Sequence, residues 1–93
     1  MADIELTQSH ALTKAQARTA VEKVAQKLSD RLGVSHHWAT DTLHFEGSGA
    51  EGQIRVAAQE VTVQVDLGFM LKPMQSMVRQ EAERYLKKYL MAA

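Results

Sequence analysis

The fold class this 93-residue sequence predicts is α+β: a two-layer sandwich in the order β-α-β-β-β-β-α, with a mainly antiparallel sheet and both helices on one of its faces. Three observations predict it. Apolar residues recur at helical period between Thr13 and Gly33, alternate at period two from Val34 to Phe69, and return to helical period after Pro73. The whole chain, 1–93, reads as a single domain.

Ile4 and Leu6 alternate with Asp3, Glu5 and Thr7, the pattern of a short edge strand with one apolar side. Thr13 can then cap a helix, with Gln16 reaching back to complete a capping box. Ala17, Ala20, Val21, Val24, Ala25, Leu28 and Leu32 share an arc of about 140° at helical period. Gly33 follows where a left-handed stop residue belongs.

Beyond Val34, a two-residue turn at Thr40-Asp41 sets Trp38 against Leu43 and His36 against Phe45, so the apolar members share a face. Gly47 to Gly52 reads as a glycine-rich turn. A second turn at Gln59-Glu60 sets Ala58 against Val61, Val56 against Val63 and Ile54 against Val65. The opposite side of these strands carries His44, Glu46, Gln53, Arg55, Thr62, Gln64 and Asp66, which predicts a sheet covered on one face only. Pro73 fits the first turn of the last helix, whose stripe is Met74, Met77, Val78, Ala82, Tyr85, Leu86 and Tyr89. Arg84, Lys87 and Lys88 complement its C-terminal dipole.

Composition narrows the function classes. Eleven basic and eleven acidic residues cancel, against the basic excess of a nucleic-acid binder. The absence of cysteine removes disulfides, thiol catalysis and thiolate metal sites. No window approaches the roughly 20 apolar residues of a membrane-spanning helix, and the polar N-terminus lacks a secretory pattern. The expectation is a soluble cytoplasmic protein.

The stretch LGFMLKPMQSM, residues 67–77, packs six large apolar residues around Lys72-Pro73. Strand and helix periods account for most of them as core at the end of two elements, with Met70 and Leu71 covering the core and Gly68 relieving the backbone. The sharper alternative leaves Phe69, Met70, Leu71 and Met74 partly exposed around Lys72 as an adhesive tip for an apolar surface or partner.

Catalytic candidates are few. His37 faces His44 across the first hairpin, but two ligands fall short of the three or four protein ligands a zinc site uses, so no metal or other cofactor is expected. His10 suits a strand-to-helix connector bonding to backbone. The loop GSGAEG lacks the helix and lysine of a phosphate cradle. Glu81 lies within the last apolar arc, where an edge position reaching water or a basic partner is favoured over a buried general base. No Ser-His-Asp spacing stands out, and an enzyme is not expected.

Several segments in order resemble a known family: His10-Ala11-Leu12; Trp38 followed by Asp41-Thr42-Leu43-His44-Phe45; Ser48-Gly49-Ala50-Glu51-Gly52; and Leu67 through Met74. Together they look like the small bacterial polyhydroxyalkanoic acid system family, often called the granule-region family, from about His10 to the last helix. The family pattern has a serine where this chain has Ala11, which speaks against a catalytic hydroxyl there. The resemblance implies a setting among hydrophobic polyester storage granules coated by proteins in the bacterial cytoplasm. It implies no catalytic residue set. A non-catalytic accessory or adaptor, bound to the granule surface or to granule-associated proteins, is the expected function. The alternative is a small domain holding an acyl ligand between helices and sheet. A homodimer through an outer strand edge remains if neither holds.

Overall fold

A computed structural model describes residues 3–47 and 49–90, leaving aside the side chain of Leu32. Ser48, from the glycine-rich loop, and the Leu32 position on the first stripe therefore lie outside the description. Strand β1 (Ile4–Ser9) leads to helix α1 (Lys14–Leu32). Four strands follow: β2 (Ser35–Ala39), β3 (Thr42–Glu46), β4 (Ala50–Val56) and β5 (Glu60–Leu67). A 3-10 turn (Lys72–Met74) then precedes helix α2 (Gln75–Leu90). Pro73 lies in that turn, so α2 starts two residues later than the proline signal suggested.

The capping box forms as the sequence requires. Gln16 N–H donates to Thr13 Oγ1 at 3.2 Å, and Thr13 N–H donates to Gln16 Oε1 at 3.1 Å. Gly33 ends α1 at φ 68°, a left-handed conformation cheap only for glycine, and its N–H donates to the Ser29 carbonyl.

The five strands form one antiparallel sheet in the order β1-β5-β4-β3-β2. The first hairpin has the expected register, with Trp38 opposite Leu43 and His36 opposite Phe45. Thr40 takes φ 59° in its turn, an uncommon conformation for a β-branched residue. The second hairpin departs from expectation. Val56 faces Val61, Ile54 faces Val63, Gly52 faces Val65 and Ala50 faces Leu67, a slide of two positions. The turn centres on Ala58-Gln59, closed by Ala57 N–H donating to the Glu60 carbonyl, and Ala58 is exposed rather than core. This register matches valine to valine next to the turn and gives Ala50 and Gly52, read as loop, partners along β5.

Both helices cover one face. Helix α1 packs on β2, β3 and β4, while α2 packs on β1 and against α1. Val21, Val24 and Leu28 meet Leu43, Ile54 and Val63 in the core, and Val78, Ala82, Leu86 and Leu90 extend it beneath α2. Met74 and Met77, placed on the α2 stripe by period, are instead exposed, at 41% and 45%. Met74 ends the 3-10 turn and Met77 lies in the first turn of α2, ahead of Val78, the first buried residue of that helix.

Candidate functional site

The chain leaves β5 at Leu67 and reverses in a β-turn from Gly68 to Leu71, closed by Leu71 N–H donating to the Gly68 carbonyl at 2.9 Å. Phe69 and Met70 are the two central residues of that turn. Central turn residues project from the chain, and these are 82% and 76% exposed. The core reading of Phe69, Met70, Met74 and Met77 therefore fails, whereas Leu67 is buried and Leu71 packs half-buried on the core. Among the described residues these four are the exposed large apolar side chains, gathered at one corner of the fold. Lys72 stands beside them, exposed.

A residue from the other end of the sequence braces this corner. Asp3 Oδ2 accepts from Leu67 N–H at 2.9 Å, its Oδ1 lies 3.5 Å from Lys72 Nζ, and its carbonyl accepts from Gln75 Nε2 at 2.7 Å. The last residue of β5, the turn and the first residue of α2 are thus tied to one point. The Leu67 N–H holds the Asp3 carboxyl below its ordinary value of 3.8; partial burial opposes this and the Lys72 ammonium adds to it. A carboxylate depressed in the folded state contributes stability above its unfolded pKa and loses it as pH falls through the folded value. The Leu67 amide resonance should therefore shift on acidification with an inflection below 3.8, as the brace opens. The inflection should vanish in Asp3→Asn, and one at or above 3.8 in the native chain would contradict the bond.

The balanced net charge conceals a separation between layers. Helix α1 carries Lys14, Arg18, Lys23, Lys27 and Arg31 against Glu22 and Asp30, and α2 carries Arg79, Arg84, Lys87 and Lys88 against Glu81 and Glu83. The strands carry Glu5, Glu46, Glu51, Glu60 and Asp66 against Arg55 alone. Glu46 faces Glu51, and Glu51 faces Asp66, so carboxylates cross three strands on the uncovered face at the tip end of the sheet.

The remaining candidates have structural roles. His37 and His44 stack at 5.6 Å between ring centroids, and no group of three or more His, Asp or Glu side chains among the described residues is placed to hold a metal ion. His10 is the connector expected of it. Leu12 N–H donates to Nδ1, which leaves the ring proton on Nε2 to donate to the Ala57 carbonyl at 3.1 Å. Glu81 has the basic partner expected of it, Arg31 at 2.7 Å, but its side chain is largely buried, 13% exposed, rather than open to water at an edge. The glycine-rich loop borders an open cleft of about 200 Å³ that also has Glu51 and Asp66 on its walls, which repel an anion. A larger open cleft of about 540 Å³ has Leu12 as its one large apolar lining residue, poorly suited to an acyl chain.

One grouping escaped the sequence reading. Ser29 Oγ lies 3.0 Å from His36 Nδ1, and His36 Nε2 lies 3.5 Å from Glu22 Oε2. Glu22 also accepts from Trp38 Nε1 at 3.3 Å, and the Arg18 guanidinium lies 4.5 Å from the centroid of the Trp38 ring. Ser, His and Glu in this order resemble an acyl-transfer relay. However, Ser29 sits at the carbonyl end of α1, and the N–H groups of Gly33 and Val34 both donate to its own carbonyl. An oxyanion needs free N–H donors aimed at it, and the carbonyl end of a helix carries the wrong sign of dipole. The cluster fastens α1 to β2. Its signal was present: Glu22 and Ser29 lie two turns apart on one helix face, and His36 and Trp38 share a strand face.

Residues 4–90 match the family described as "Putative polyhydroxyalkanoic acid system protein". No curated protein and no solved structure matches the chain. No helix among the described residues is long and apolar enough to cross a membrane.

Proposed function

The chain belongs to the polyhydroxyalkanoic acid system family, and from that membership we propose that it is a non-catalytic accessory or adaptor protein of polyester storage. It works in the cytoplasm, on the granule surface or on proteins bound there. The observation that carries this reading is the exposed corner of Phe69, Met70, Met74 and Met77, held out by a closed turn and braced by Asp3. An ordered apolar corner gains free energy when a second apolar surface removes it from water, by about 25 cal/mol for each Å² covered. Flexible methionines adapt to an irregular polymer face better than branched side chains. Leu71 seats the turn on the core, and Lys72 keeps a charge at its margin.

Purified protein mixed with amorphous polyhydroxyalkanoate particles should pellet with them on centrifugation, both with bare particles and with granules isolated with their coat. Protein that stays in the supernatant in both cases would remove the proposal. Saturable changes in core resonances on adding a soluble hydroxyacyl ligand would favour the acyl-binding alternative instead.

A further inference from the structure

We propose, resting on the adhesive role of the tip, that the helical layer is an electrostatic seat for an anionic lipid surface. The protein then lies helices down on a negatively charged lipid interface, with Phe69 and Met70 inserted and the open sheet turned away. Charge complementarity selects this partner. Lys23, Lys27, Arg84 and Lys88 have no carboxylate within ion-pair distance among the described residues. All four are exposed.

Two contacts place them together. Arg31 pairs with Glu81, and the Lys23 ammonium lies 5.9 Å from the centroid of the Tyr89 ring, so α1 and α2 run antiparallel with these cations along their shared seam. Arg84 and Lys88 lie 5.6 and 5.5 Å from the ring centroids of Tyr85 and Tyr89, so the seam carries amphipathic rings as well as charge. Met77 shares a helical face with Arg84 and Lys88, which joins the apolar corner to the cations in one strip. An apolar wedge beside a basic strip is the arrangement that holds a peripheral domain on anionic lipid, where one apolar contact alone is marginal. The carboxylates on the opposite face are repelled by the same surface, which sets the orientation.

The test uses the full chain and vesicles of phosphatidylcholine with or without a third of phosphatidylglycerol. Binding to the anionic vesicles should exceed binding to the neutral ones at least tenfold at 50 mM salt and fall to the neutral level at 0.5 M, where screening is severe. Lys23→Glu with Lys27→Glu should remove the anionic preference while the thermal midpoint stays put. Glu46→Gln with Glu51→Gln changes net charge on the far face and should alter vesicle binding less than twofold. Equal binding to both vesicle types, or binding that follows net charge whichever face carries it, would overturn the seat. Pelleting with bare polyester but not with anionic vesicles would sink this inference alone. Vesicle binding without polyester binding would sink the adaptor reading and leave the seat standing.

Discussion

Gly52→Val should destabilise the fold by about 3 kcal/mol or more, the high end of the cost of overpacking a closed site. Gly52 belongs to β4, the middle strand, and stands between Phe45 on β3 and Val65 on β5. A Cβ built there would lie 2.2 Å from the Gln64 carbonyl oxygen and 3.0 Å from Val65 Cα. Both neighbours are main chain in the longest paired strand, so no rotamer change can clear the space. The β4–β5 ladder would have to part locally, and the whole domain holds only about 5–15 kcal/mol in reserve. Urea unfolding should show a lower midpoint with an unchanged slope, and Gly52→Ala should move the same way by less. A native midpoint in Gly52→Val would show that the strands do not approach as closely as described.

Phe69→Ser combined with Met70→Ser should release the protein from polyester particles by about a hundredfold while leaving its melting temperature near the native value. Full burial of a Phe or Met side chain is worth roughly 1.5–3 kcal/mol, and partial immersion of both against a polymer face comes to about 3 kcal/mol together. Each 1.4 kcal/mol is a factor of ten in affinity, which gives the hundredfold. Stability is spared because both side chains already face water, and exposed substitutions commonly stay within about 0.5 kcal/mol. Leu71→Ser supplies the contrast. That side chain packs on the core, so its loss should lower the melting temperature as well as binding. Unchanged pelleting of the double variant would move the contact elsewhere on the surface.

Local signals with their own geometry were legible in the residues. The capping box at Thr13 and Gln16, the stop at Gly33 and the Thr40-Asp41 hairpin follow from a side chain, a backbone preference and a shared face respectively. The second hairpin was misread by two positions because strand alternation repeats every two residues. A slide of that size leaves every apolar residue on the same face and erases its own trace. The core alternative for Phe69 fails for a related reason. It has the parity of Leu67, but period two carries no mark of where pairing stops, and β5 ends before it. The brace at Asp3 joins segments 64 positions apart, which no local window contains, whereas Glu22, Ser29 and His36 lie close in sequence and left their signal in a shared helix face followed by a strand face.

The brace at Asp3 spans 64 positions of sequence, and β1 pairs with β5, the strand farthest from it along the chain. Loops that long close last, after nearby hairpins and helices have already formed. The greasy corner therefore acquires its fixed posture only when β1 docks beside β5 and Asp3 reaches the Leu67 amide. A chain in which β1 has not yet docked carries Phe69 and Met70 on an untethered bend.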